Sequence, residues 1–147
     1  MPRPDLAGIH HLKIPVTDLR RSLPWYEQVF GYTVVLEVTD DDGVVRGVGG
    51  EIPGLAGTKL ALRQNPTLAA AMTGFDPVAF AVEDQAAVRA WAEHLDRLGI
   101  AHTPLIEGKT GWLIALTDPD GINLVIYSWT APAESGSRAT TASAAQS

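Results

Sequence analysis

The feature that most constrains this chain is a repeat. Asp18 and Asp84 lie 66 residues apart, and so do Trp25 and Trp91. Each aspartate follows an alternating segment, IHHLKIPV at residues 9–16 and PVAFAV at residues 77–82. Alternation of apolar and polar side chains marks a strand with one buried face. An aspartate directly after such a strand and ahead of a helical pattern is an N-cap, because its carboxylate accepts from the first free N–H groups of the helix. Strand, cap and aromatic recurring at one spacing argue for an internal duplication.

The repeat organises the remaining segments. Helix one is predicted to start near Leu19 or Leu23 and to end at Phe30, with Gly31 as its C-cap. Pro24 deletes an interior hydrogen bond if the helix begins at Asp18, so a kink or a late start capped by Ser22 is expected. Strands follow at 32–39, 44–49 and 58–64, separated by the Asp40-Asp41-Asp42-Gly43 turn and a glycine-rich loop at 51–57. Residues 65–74 link the halves through one helical turn. The second half replays the order: a strand at 77–82, a helix at 85–98 with Val88, Trp91, Ala92 and Leu95 on one stripe, then strands at 102–107, 112–117 and 122–129. Trp25 and Trp91 are assigned to the core. The domain therefore spans 8–129 (repeat one 8–64, linker 65–74, repeat two 75–129), and the Ala/Ser/Thr-rich tail at 130–147 is expected to be disordered.

The expected fold class is α+β, two tandem βαβββ units, each too small to be comfortable alone, forming a curved mixed sheet around a concave pocket. One set of strand residues belongs under the helices: Leu12, Ile14 and Val16; Leu60 and Leu62; Val78, Phe80 and Val82; Ile122, Leu124 and Ile126. The alternate set, His11 and Lys13; Lys59, Ala61 and Arg63; Pro77, Ala79 and Ala81; Asn123, Val125, Tyr127 and Trp129, lines the open face. A one-residue slip would expose every apolar side chain, so the parity is fixed. Small residues, aromatics and a few polar groups on one face suit a small-molecule pocket.

Composition excludes several partner classes. A net charge of −6 disfavours nucleic acid and anionic membranes. There is no cysteine, hence neither a disulfide framework nor a thiolate metal site. No apolar run approaches a membrane span, and MPRPDLAG lacks the apolar centre of a signal peptide, so a cytoplasmic location is expected. There is no Gly-x-Ser-x-Gly and no phosphate loop.

With HHLKIPVTDLRRSLPWYEQVFGY, DPDGINLVIY and the repeated half in view, the chain resembles the vicinal oxygen chelate superfamily over about residues 8–129. That group includes glyoxalase I, extradiol dioxygenases, fosfomycin-modifying enzymes and bleomycin-resistance proteins. The resemblance implies the glyoxalase/bleomycin-resistance fold and a homodimer. In metal-using members it implies four ligands, typically His or Gln, Glu, His and Glu. By motif these positions fall on His11, on or near Ala61, on Pro77 and on Val125. Only His11 is a donor, and one imidazole with solvent holds a divalent cation weakly. His10 is expected to point away from His11, as neighbours on a strand do. Glu37 and Glu107 sit on strands from which a rearranged site is conceivable.

The expected function is a metal-independent small-molecule binding protein of the glyoxalase/bleomycin-resistance type, without cofactor, sequestering an aromatic or antibiotic-like ligand. The alternative is a vicinal oxygen chelate enzyme (lyase, isomerase or dioxygenase) with displaced metal ligands, or with His11 as acid or base. The candidate ligand-binding residues are His11, Lys13, Arg63, Trp112, Asn123 and Tyr127. Lys13 and Arg63 supply positive charge, and Trp112 and Tyr127 supply stacking surfaces. The Asp118-Pro119-Asp120-Gly121 segment is read as a turn without chemistry.

Overall fold

The computed structural model describes residues 2–133, so the tail expectation for 134–147 lies outside the described residues. The chain divides between Ala71 and Met72 into two compact units.

Unit one runs β1 (His11–Val16), α1 (Leu19–Phe30), β2 (Thr33–Thr39), β3 (Val45–Glu51), β4 (Lys59–Gln64) and α2 (Pro66–Ala71). Its sheet has the order β1-β4-β3-β2, with β1 and β4 parallel and the other pairs antiparallel. Unit two runs β5 (Val78–Val82), α3 (Gln85–Arg97), β6 (Ile106–Glu107), β7 (Trp112–Thr117) and β8 (Asn123–Ser128), in the matching order β5-β8-β7-β6. Each unit is thus a βαβββ module with a four-stranded mixed sheet.

The caps act as their chemistry dictates. Asp18 accepts from the Arg20 N–H at 3.0 Å, and Asp84 accepts from the Ala87 N–H at 3.0 Å. Gly31 closes α1 at φ 68°, a left-handed conformation that costs glycine little, and donates to the Glu27 carbonyl. The helix starts at Leu19, directly after its cap, and not late at Ser22. Pro24 is accommodated inside it, leaving the Arg20 carbonyl without its usual N–H partner.

The helix-side face of each sheet forms the core. In unit one, Leu12 pairs with Leu60 and Ile14 with Leu62, while Val48 stands opposite Leu62. Ile14, Leu60, Leu62 and Val48 are buried, as are Tyr26, Val29 and Phe30 of α1. In unit two, Val78 pairs with Leu124 and Phe80 with Ile126, Ile114 and Leu116 extend the layer, and α3 packs on β7 and β8. Full burial of one such side chain stabilises by about 1.5–3 kcal/mol. The expected pairing parity holds through both sheets, but Pro15, Leu113 and Val125 on the alternate parity are buried as well, and Leu12, Val78 and Val82 are only half-buried.

Two local expectations are corrected. Trp25 and Trp91 are only half-buried, at the edge of the core and not within it. Trp25 flanks the buried stripe of Ser22, Tyr26, Val29 and Phe30, and Tyr26 takes the central place. The strand expected at 102–107 shrinks to two residues, preceded by an isolated bridge from His102 to Leu116. Pro104 has no N–H to offer a ladder, so pairing cannot run through it. A strap at 101–105 takes its place.

Candidate functional site

The open face of unit one is built in rows across the sheet. Lys13, Ala61, Gly49 and Leu36 form one row, and Pro15, Arg63, Gly47 and Val38 the next. The two glycines leave β3 without side chains here, and the space above them is taken by the side chains of Leu36 and Arg63. Leu36 and Val38 remain exposed.

The charges on this face are unevenly compensated. The Arg63 guanidinium donates to Asp40 at 3.0 Å, and the other oxygen of that carboxylate binds Arg46, also at 3.0 Å. Arg46 further reaches Asp42, whose pKa is held below the usual carboxylate range by the Val44 N–H and by Arg46. Lys59 is 3.5 Å from Glu51. Lys13 has no acidic partner among the described residues, so it is the cation of this face best placed to meet an anionic or carbonyl group. His11 opens β1 beside Lys59, with its Nδ1 3.0 Å from Nδ1 of His10 and the rings edge-to-face. This corrects the expectation that His10 points away. His10 lies just outside β1, where strand alternation no longer applies. One of the two nitrogens donates and the other accepts, so the pair can pass a proton.

Unit two carries a cavity of about 500 Å³ on its open face, within the range of small-molecule sites. Leu113, Ala115, Thr117 and Asn123 form its floor, and Ala101, His102, Thr103 and Ile106 form one wall. Asn123 donates through Nδ2 to the Gly74 carbonyl, leaving its side-chain oxygen available. Tyr127 shares the open face but lies beyond the cavity, its hydroxyl accepting from Thr110 Oγ1 at 3.1 Å. Trp112 does not share that face. It stands in the parity of Ile114 and Leu116, on the α3 side, with its backbone N–H bonded to Ser128 Oγ. The structure therefore gathers His11, Lys13 and Arg63 on one face of unit one, and Asn123 and Tyr127 on one face of unit two. The cavity floor was readable from alternation in 113–117, whereas His102 and Thr103 had no periodic signal.

A second cavity, of about 520 Å³, lies in unit one between the start of α1 and the β2–β3 hairpin. Leu19, Leu23 and Val48 give it an apolar lining, with Glu37 and Arg20 at its walls.

The family model for the glyoxalase/bleomycin resistance protein/dioxygenase superfamily matches residues 8–126. The chain belongs to this superfamily. A glyoxylase/bleomycin resistance protein/dioxygenase domain from Frankia sp. EAN1pec is 25% identical, with a TM-score of 0.67 over 84% of this chain and 98% of that one. TnmS3, an antibiotic binding protein from Streptomyces sp. CB03234, is 20% identical, with a TM-score of 0.68 over 86% and 98%. Lactoylglutathione lyase from Agrobacterium tumefaciens is 18% identical, with a TM-score of 0.68 over 85% and 96%. A search of curated proteins finds no significant match.

The resemblance implies four ligand positions in metal-using members, so the donors present here decide whether an ion fits. Of the four implied positions, His11 alone carries a donor; Ala61, Pro77 and Val125 offer only carbon. Val125 lies between Ala79 and Ala115 and is 4% exposed. Glu37 stands opposite Val48 and Glu107 opposite Trp112, both on the helix-side faces, so neither shares a face with its unit's implied positions. Among the described residues no three His, Asp or Glu side chains gather closely enough to hold an ion. The residues present do not fit a resident metal. Among the described residues no helix is long and apolar enough to cross a membrane.

Proposed function

We propose that this superfamily member is a metal-independent small-molecule binding protein that holds an aromatic or antibiotic-like ligand. The observation that carries this reading is the set Ala61, Pro77 and Val125, three carbon side chains at donor positions inside an intact scaffold. His11, Lys13 and Arg63 on the open face of unit one, and separately Asn123 and Tyr127 on that of unit two, are the residues proposed for ligand contact. Trp112 drops out because of its face. The apolar floor of the unit-two cavity, with Thr103, Thr117 and Asn123 as polar contacts, suits a largely uncharged compound. The antibiotic-binding neighbour TnmS3 supports the reading by its fold.

The test is a thermal-shift screen of aromatic natural products in the presence of EDTA. A ligand at one hundred times its Kd stabilises the native state by about 2.7 kcal/mol. For a chain of this length that raises Tm by roughly 5–10 °C. Shifts that appear only with added divalent metal would overturn the proposal.

The His10–His11 contact favours a second reading, a metal-free acid–base catalyst in which His11 exchanges a proton with bound substrate. Under that reading His11→Ala abolishes turnover of a bound compound and leaves its affinity within a few-fold. The family resemblance also makes a homodimer the proposed assembly, which sedimentation equilibrium tests.

A further inference from the structure

The wall of the unit-two cavity is the strap at 101–105, and it has little regular structure to hold it. Thr103 exchanges two bonds with Ala115 of β7: its N–H donates to the Ala115 carbonyl at 2.9 Å, and its Oγ1 accepts from the Ala115 N–H at 3.0 Å. Pro104 then stops the pairing. On the other side of this contact His102 bonds through both ring nitrogens. Nδ1 is 2.6 Å from the Thr103 carbonyl, and Nε2 is 2.8 Å from a carboxylate oxygen of Asp96 on α3. Neither acceptor carries a hydrogen, so both bonds exist together only when both nitrogens bear protons.

We propose that His102 is a positioning residue for the unit-two cavity, a doubly donating latch that ties the strap to α3 and keeps that wall closed over the floor of β7. The proposal rests on reading this cavity as a small-molecule site. It assigns a role to a residue that touches the site from its wall and not from the sheet.

The surroundings of His102 agree with a latch that carries charge. Burial works against the imidazolium, but the Thr103 carbonyl and the Asp96 carboxylate more than offset it, and the Ala92 carbonyl adds to them. The result is a pKa above the usual imidazole value. The charged or titratable groups in the last turns of α3 are Glu93, His94, Asp96 and Arg97, and of these Asp96 bonds the ring. From β7 and β8 the cavity receives Thr117 and Asn123, both neutral, and β6 contributes Glu107 opposite Trp112. Because the folded pKa is raised, the latch is complete below the unfolded value near 6.5 and is lost as pH rises through the folded value. On losing a proton, one of the two bonds loses its donor: without the Nε2 proton the tie to α3 goes, and without the Nδ1 proton the brace to the Thr103 carbonyl goes.

The experiment uses the full chain and three readouts: side-chain nitrogen NMR of His102, amide hydrogen exchange at Thr103 corrected for its intrinsic pH dependence, and fluorescence of the uncharged apolar probe N-phenyl-1-naphthylamine. Both ring nitrogens should be protonated near pH 6. Thr103 protection and probe affinity should fall on the order of tenfold towards pH 9, the size of effect expected for one charge-assisted hydrogen bond. Asp96 is largely exposed, so Asp96→Ala, which removes the acceptor altogether, should fold, show low Thr103 protection already near pH 6, and lose most of the pH dependence. Thr103 protection that ignores both pH and Asp96→Ala would overturn the latch, as would a singly protonated ring near pH 6. A probe that fails to bind at any pH, while Thr103 keeps its pH-dependent protection, would remove the small-molecule reading and leave the latch standing.

Discussion

Ser22 gives the sharpest test of the packing. It lies near the start of α1, three residues after Leu19, is fully buried, and its hydroxyl has no hydrogen-bond partner among the described residues. A helical serine ordinarily bonds back to the carbonyl four residues earlier. Here that carbonyl belongs to Asp18 and already accepts from the N–H groups of Arg21, at 3.1 Å, and Ser22, at 3.0 Å. The repeat supplies the comparison: 66 residues on stands Val88, equally buried and apolar. A buried unpaired hydroxyl costs about 1–3 kcal/mol. Ser22→Ala removes that cost, improves helix propensity by roughly half a kcal/mol, and leaves a void of a single atom. The net expectation is a gain of about 1 kcal/mol, or roughly 2–4 °C in Tm for a chain of this size. Urea denaturation with an unchanged slope would measure it directly. A loss of about 1 kcal/mol or more would show that the hydroxyl is bonded in solution and would refute the reasoning. Ser22→Val, which copies the second repeat, is less clean because it adds volume to a packed site.

Other expectations follow from close approaches and buried polar groups. A Cβ on Gly50 would sit 2.7 Å from the Tyr32 ring and closer still to the Thr33 carbonyl, so Gly50→Ala should cost about 3 kcal/mol. At Gly43, with open space but φ +81°, Gly43→Ala should cost only about 1 kcal/mol in the same denaturation assay. The Tyr32 hydroxyl donates to the Leu60 carbonyl at 2.7 Å, and burial pushes its pKa up to about 12. Its stabilising contribution is therefore present below pH 10 and is lost as pH rises towards 12, and ultraviolet titration should show one tyrosine ionising near 12, a step that Tyr32→Phe removes.

Much of this fold was legible because two periodicities and one spacing agreed. The offset between Asp18 and Asp84 located both helices, and alternation around Ile14 and Phe80 placed the buried faces correctly. What escaped were features set by partners distant in sequence. Arg63 reads as a free cation along its strand, yet Asp40 at the hairpin turn holds it. Trp112 reads as a stacking surface, yet the β7–β8 register turns it to the α3 side. His10 was expected to obey strand alternation, but the strand starts one residue later. The strap at 101–105 was hidden because Pro104 converts an apolar stretch from strand to loop, and no local pattern announces the His102–Asp96 bond.

Metal content tests the central claim most directly. The protein would be expressed in medium supplemented with nickel, zinc, manganese and iron, purified without chelator, and analysed by inductively coupled plasma mass spectrometry. With carbon side chains at Ala61, Pro77 and Val125, the account predicts metal far below one ion per chain. One tightly held ion per chain, lost together with ligand binding when His11 is replaced by Ala, would contradict it.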